Sequence, residues 1–168
     1  MFPAGSLQLF SVKLLSTTPR DVAEKEYKEK QEVAMKQYVD AEKASTEKYI
    51  VDNKITATPN EHGMYYMEKK KGSGPLVQNG QTVSVLYSGK FLNGEVFDAS
   101  EKHGGTPIDV QVGTGGVIKG WEEALLMMQK GTKATVLIPS SIGYGADGGG
   151  RIPPCTPMVF EMEVVNIK

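Results

Sequence analysis

Reactive side chains are scarce in this sequence. Its 168 residues include one cysteine and two histidines. Cys155 cannot close an internal disulfide and has no metal-ligand neighbours along the chain. His62 and His103 are isolated, so no structural or catalytic zinc site is expected. There is no Ser-His-Asp order, no Cys-His pair, and no Glu/Asp pair in an evident acid–base context. No apolar run approaches the roughly 18 residues of a membrane span. Charge of one sign is also missing: Lys and Arg number 19 against 20 Asp and Glu, a net −1. That balance argues against a nucleic-acid groove and a polybasic membrane patch. The apolar run Leu7–Leu15 lacks a positive leader and a small-residue cleavage site, and Lys13 interrupts it, so it does not read as a signal peptide.

What is present divides into three segments. Residues 1–17 alternate apolar positions, Leu7 and Leu9, then Phe10, Val12 and Leu14, and read as a terminal strand. Residues 18–57 are a helix and linker. Thr18, Pro19 and Asp21 supply the cap, first-turn and capping-box signals. Glu24/Lys28, Glu26/Lys30 and Glu32/Lys36 are spaced to pair in the favourable order, and no Gly or Pro interrupts Arg20–Asn53. The apolar stripe Val22, Tyr27, Ala34, Tyr38, Ala41, Tyr49 is too narrow for a strict coiled coil. It suits an exposed helix that packs lightly, or one that meets a partner chain. Residues 58–168 form the main domain: strands at Met64–Lys70, Thr82–Phe91, Val96–Asp98, Ile108–Val112, Lys133–Ile138 and Met158–Ile167. A break falls at Gly72–Pro75, a hairpin turn at Asn93-Gly94, and a short amphipathic helix at Ile118–Met128, ended by Lys130-Gly131. The fold class is therefore α+β: several antiparallel strands and one short helix bury a core as a sheet wrapped round that helix.

Residues 2–16 (FPAGSLQLFSVKLLS) align without a gap with residues 152–166 (IPPCTPMVFEMEVVN). If that likeness is a repeat, residues 1–17 are the remnant of a preceding copy of the same domain.

Three stretches concentrate aromatic and glycine residues: VSVLYSGKFLNGEVFDAS (83–100), GTGGVIKGWEEALLMM (113–128) and PSSIGYGADGGGRIPP (139–154). The runs GTGG and GADGGG invite comparison with a phosphate cradle. No G-x-x-x-x-G-K-[ST] exists, however, and neither run links a buried parallel strand to a helix. In order and spacing, LYSGKFLNGEVFDAS, VIKGWEEAL, IGYGADGGGRIPP and MVFEMEV resemble the FKBP family of peptidyl-prolyl cis-trans isomerases over about 110 residues. The helix and the linker through YIVDNKITATPNEHGMYYMEKKKGSG are similar to the bacterial Mip-like and FkpA-like members, whose helical N-terminal part dimerises.

The resemblance implies an antiparallel half-barrel sheet of five to six strands wrapped round one short helix, the helix around Trp121 packed in its concavity. It implies a pocket floored by Trp121 and walled by Tyr87, Phe97, Val117, Ile118 and Phe160, with Ile108 and Ile152 also on the substrate side and Asp98 and Tyr144 as polar groups. The Ile118 N–H and the Tyr144 hydroxyl are expected to bond ligand carbonyls. Read alone, each residue has a plainer role: Trp121 core, Asp98 turn former, Tyr144 loop anchor. Implied partners are X-Pro polypeptides, macrolide inhibitors of the FKBP class and a second copy through residues 1–55; no cofactor is implied. Exported relatives point to the periplasm or cell envelope. Three departures stand out: Ile108 replaces an aromatic wall residue, Gly116 replaces an acidic one, and the Ala146–Arg151 loop is short and glycine-rich. A loose loop loses more entropy on binding, so modest affinity and a broad preference before proline are expected. Two rival readings are a proline-peptide-binding chaperone or scaffold with incidental turnover, and an interaction helix carrying the domain as cargo.

Overall fold

The computed structural model describes residues 20–168. The terminal strand expected at 1–17, the Thr18–Pro19 cap and the Asp21 side chain lie outside the described residues. Helix α1 (Arg20–Asp52) runs for 33 residues. It ends in a Schellman motif: Ile55 N–H donates to Ile50 O (2.9 Å) and Lys54 N–H to Val51 O (3.1 Å), with Lys54 in the left-handed region at φ 50°. No glycine marks this stop, so the sequence gives no sign of the cap. The ion pairs that close on α1 include Lys25–Glu29 (3.9 Å) and Lys48–Asp52 (2.7 Å). Neither Glu26/Lys30 nor Glu32/Lys36 is among the ion pairs of the described residues. Such exposed pairs contribute about 0–1 kcal/mol each, and long side chains readily choose other rotamers. Val22, Tyr27, Val33, Tyr38 and Val39 are exposed. The chain divides into two compact units, Met1–Ala34 and Met35–Lys168. The second half of α1 therefore shares a unit with the sheet.

That unit is built on strands β1 (Tyr65–Lys70), β2 (Ser73–Leu76), β3 (Thr82–Phe91), β4 (Val96–Ala99), β5 (Ile108–Gln111), β6 (Gln129–Lys130), β7 (Lys133–Ile138) and β8 (Met158–Ile167), with helix α2 (Lys119–Leu126) between β5 and β6. The main sheet is antiparallel in the order β1-β7-β8-β3-β4, and β5 pairs with the same edge of β3 as β4 does. Two expectations are corrected. The Gly72–Pro75 stretch does not simply break the chain, because Ser73–Leu76 pairs with Gln129–Lys130 as a small ribbon. Gly131, at φ 85°, belongs to the β6–β7 turn and not to the helix end. The helix stops earlier, where Met127 N–H bonds Ala124 O and Met128 turns into the core.

Pleat alternation sends Val83, Val85, Tyr87 and Gly89 of β3 to the inner face, with Met158, Phe160, Met162 and Val164 of β8 and Ala134, Val136 and Ile138 of β7. Into this concavity α2 lowers Trp121, Ala124 and Leu125. Gly120 permits the approach: a Cβ there would lie 2.5 Å from Ile138 Cγ2. Each large apolar side chain buried here contributes about 1.5–3 kcal/mol of transfer free energy. The apolar wall that makes the domain stable is thus also the wall over which α2 must sit.

Candidate active site

The inner face is not filled at one end. Tyr87, Phe97, Asp98, Ile108, Gly116, Val117, Ile118, Trp121, Tyr144 and Phe160 line a cleft of about 190 Å³. Trp121 is only 4% exposed, yet it forms part of the lining. Its position is fixed from two sides, with Tyr87 edge-on at 5.0 Å and 73° and Phe160 at 5.3 Å and 87°. Phe97 extends the cage, 5.7 Å from Phe160 at 85°. Edge-to-face pairs of this kind contribute about 0.5–1.5 kcal/mol each beyond their buried area. They also leave little rotational freedom in the walls.

A bulge brings Phe97 and Asp98 to the same cleft. Gly89 pairs with Asp98 but Lys90 pairs with Val96, so Phe97 has no partner in the ladder. In a regular strand, neighbours point to opposite faces; the extra residue re-aims both side chains toward the cleft. The hairpin just before it is a three-residue loop. Gly94 N–H bonds Phe91 O and Phe91 N–H bonds Glu95 O, with Gly94 at φ 89°. A second irregularity sits at Tyr87. The edge of β3 passes from β5, which pairs through Val85, to β4, which pairs from Ser88. The Tyr87 N–H falls in the gap and donates instead to the Ser100 Oγ at 3.0 Å. Ser100, buried and with no role in the sequence reading of the site, thereby holds the backbone of a cleft residue.

The polar groups form a connected set. The Tyr87 hydroxyl donates to Asp98 Oδ2 at 2.7 Å, and Ala99 N–H donates to Asp98 Oδ1 at 2.9 Å. His103 Nε2 lies 2.8 Å from the same Oδ1, so this histidine, isolated in the sequence, is not isolated in space. Burial by itself raises the Asp98 carboxyl. The bonds from Tyr87, His103 and Ala99 outweigh it and hold the group below the usual carboxylate range. Asp98 is therefore an anion at neutral pH. Desolvation first, and then the bond to Asp98, push the Tyr87 phenol up to about 12.

Loop amides decide between the phosphate-cradle and wall readings of GTGG. Gly113 N–H and Gly115 N–H donate to Glu122 Oε1, at 3.1 and 2.9 Å. That carboxylate, from α2, folds the loop over the helix and delivers Val117 and Ile118 to the cleft. The Ile118 N–H, just ahead of α2, donates to no protein acceptor among the described residues. Tyr144 stands 42% exposed, and its hydroxyl has no hydrogen bond among the described residues. Ile152, placed on the substrate side by the family resemblance, is not on the cleft. It bridges to Gly149 and is buried in the core. Gly116 does line the cleft. A wider trough of about 550 Å³ on the outer sheet face is lined by Lys69, Lys133, Glu101, Glu161 and Glu163 among others. Its charges are mixed and Tyr87 is its one aromatic lining residue, so it lacks the aromatic cage of the smaller cleft.

Residues 74–165 match the family model described as FKBP-type peptidyl-prolyl cis-trans isomerase. The chain is 42% identical over 100 residues to FK506-binding protein 1 of Dictyostelium discoideum, covering 59% of this chain and 92% of that protein. It is 42% identical over 106 residues to FK506-binding protein 4 of Chaetomium thermophilum, covering 63% of this chain but only 22% of that much longer protein. Among solved structures, FkpA from Escherichia coli superposes with a TM-score of 0.71 at 29% identity, covering 88% of this chain and 69% of that one. The matched span begins at Gly74, contains every residue of the cleft and runs almost to the end of β8. By sheet order, by cleft and by sequence, this chain belongs to the FKBP-type peptidyl-prolyl cis-trans isomerase family.

Proposed function

We propose that the cleft accelerates rotation about X-Pro peptide bonds in polypeptide clients, with no covalent intermediate and no proton transfer. A peptide bond resists rotation by about 18–20 kcal/mol because twisting it breaks amide resonance. For X-Pro alone the two planar forms lie within about 1 kcal/mol, so both are populated and only the barrier is limiting. A catalyst has to bind the twisted imide better than either planar form. Once resonance is lost, the carbonyl oxygen carries less negative charge and the group is less polar. A dry aromatic surround favours that form over the planar one, and an anion at Asp98 penalises the more negative planar oxygen. The open Ile118 N–H and the Tyr144 hydroxyl can hold flanking carbonyls without taking part in the chemistry. The observation that carries this reading is the aromatic cage of Tyr87, Phe97, Trp121 and Phe160 lining one cleft with Asp98, Ile118 and Tyr144.

Binding of FKBP-class macrolides, pairing of two copies through residues 1–55 and residence in the periplasm or cell envelope belong to the same proposal. They rest on the likeness to the family and to FkpA. The test is a protease-coupled or NMR exchange assay on a short X-Pro peptide. Catalysis that a macrolide abolishes is the expected result. A rate equal to background, in a chain that still protects a client from aggregation, would turn the reading into a proline-binding chaperone.

A further inference from the structure

The loop that carries Tyr144 is held in part from outside the sheet. Ser140, buried, opens the short 3-10 turn Ser140–Ile142 directly after Pro139, and Pro139 provides no side-chain cap. The acceptor comes from α1. Ser140 N–H donates to Glu42 Oε1 at 2.6 Å, and the Ser140 hydroxyl donates to Glu42 Oε2 at 2.6 Å. One carboxylate thus takes both donors of one residue, which fixes direction as well as distance. The chain of bonds continues to the cleft. Ser140 O accepts from Gly143 N–H (2.9 Å) and Gly145 N–H (2.8 Å), the two amides that flank Tyr144. Gly145 O accepts from Cys155 N–H at 3.0 Å, and Cys155 Sγ lies 3.6 Å from Met35 Sδ, a second touch on α1. Beside these contacts, Tyr38, Ala41, Glu42 and Ser45 of α1 face Leu92 and the Pro153–Pro157 segment across a cleft of about 350 Å³. The Tyr144 hydroxyl has no hydrogen bond among the described residues and its ring rests against Gly149, so the backbone at Gly143 and Gly145 is what ties the residue to the turn.

We propose that Glu42 is a positioning residue for the prolyl site. Its carboxylate holds Ser140 and, through the Ser140 carbonyl, the backbone on either side of Tyr144. The appended helix thereby sets where that ring stands at the cleft. The consequence for catalysis rests on the isomerase reading, whereas the clamp itself does not. Without the carboxylate, the Ser140 N–H and hydroxyl lose charged acceptors and the turn samples more positions. A displacement of about 1 Å near a reacting group can lower a rate about 100-fold; a loosened turn spends part of its time in place, so about five- to tenfold is expected here. Glutamine keeps an oxygen for the N–H and can donate to the hydroxyl, so E42Q recovers part of the loss. Aspartate is one methylene too short and recovers none.

The experiment uses the full chain as wild type, E42A, E42Q, E42D, S140A, Y144A and E42A/Y144A. Amide hydrogen exchange at Gly143 and Gly145 is expected to quicken about tenfold in E42A and S140A and less in E42Q, while Val85 in β3 is unchanged. In the isomerase assay, E42A is expected to lower kcat/KM in the wild-type background and to add nothing once Tyr144 is removed. Unchanged exchange at Gly143 and Gly145 would overturn the clamp. Losses from E42A and Y144A that simply multiply, or an E42A variant as active as wild type, would overturn the route through Tyr144. An inactive wild type would sink the isomerase reading and with it any catalytic role for Glu42, while the exchange rates would still decide for or against the clamp.

Discussion

The clearest single test of the cleft is Gly89→Ala. Gly89 lies on the inner face of β3, paired with Phe160 of β8 on one side and Asp98 of β4 on the other. A Cβ at this position would stand 2.7 Å from Phe160 Cε1, 2.7 Å from Phe97 Cζ and 2.9 Å from Phe97 Cε2. Carbon atoms in contact ordinarily sit about 3.5–4.0 Å apart, so the shortfall is roughly 1 Å against two rings. The strand cannot slide away, because both of its edges are hydrogen-bonded. The rings must therefore move. Phe160 leans on Trp121 and Phe97 leans on Phe91 at 5.0 Å, so the displacement passes into the cleft. Overpacking of this kind costs about 1–3 kcal/mol. The smaller unfolded-state entropy of alanine offsets about 0.5–1 kcal/mol of that. The net expectation is about 0–2.5 kcal/mol of destabilisation, a folded protein, and kcat/KM about 10- to 100-fold lower through misplacement of the walls. Urea unfolding reads the first quantity, a coupled isomerase assay the second, and aromatic NMR shifts of Phe97 and Phe160 the displacement. A variant within twofold of wild type in kcat/KM, with both rings unshifted, would show that the walls have room to spare and would refute the inference from this contact.

Two further outcomes follow from polar groups. Asp98 is depressed by the bonds from Tyr87, His103 and Ala99, against the upward pull of burial. Its contribution to stability is therefore present above the unfolded-chain value of about 3.9 and is lost as pH falls through the lower folded value. Tyr87→Phe removes one of those bonds, so the Asp98 carboxyl is expected to titrate higher than in wild type when followed by carbon NMR; a midpoint at or below the wild-type one refutes the account. Elsewhere, the Tyr66 hydroxyl is buried without a hydrogen-bond partner among the described residues, and desolvation pushes that phenol up to about 12. Tyr66→Phe removes an unsatisfied polar atom and is expected to leave stability unchanged or raise it by about 1 kcal/mol in urea unfolding. A loss above about 1 kcal/mol would mean that the hydroxyl has a partner in solution.

Most strand positions are legible in the amino-acid sequence, because they rest on alternation and on turn residues, which are local. Thr82–Phe91, Lys133–Ile138 and Met158–Ile167 lie where period-two patterning places them. The family motifs carried nine of the ten expected site residues to one cleft, since they specify order along a shared fold. Ile152 lies off that cleft, in the core, where its backbone bridges to Gly149. The β2–β6 ribbon escapes a sequence reading because its pairing joins segments more than fifty residues apart and only a few residues long.

Other features lie out of reach of any local pattern. Ser100 under Tyr87, His103 beside Asp98, Glu122 on the GTGG amides and Glu42 on Ser140 are ordinary polar residues in the sequence. Each becomes specific only when a distant donor or acceptor arrives at hydrogen-bond distance. Composition and periodicity determined by themselves that the chain has a long polar helix, a twisted antiparallel sheet and a short buried helix, because burying an apolar face is encoded residue by residue. Only the tertiary structure decided which polar groups meet at the rim of the cleft and that the appended helix reaches the Tyr144 loop. Hydrogen bonds act over about 3 Å between particular atoms, and no spacing along a chain records where two of its distant atoms will stand.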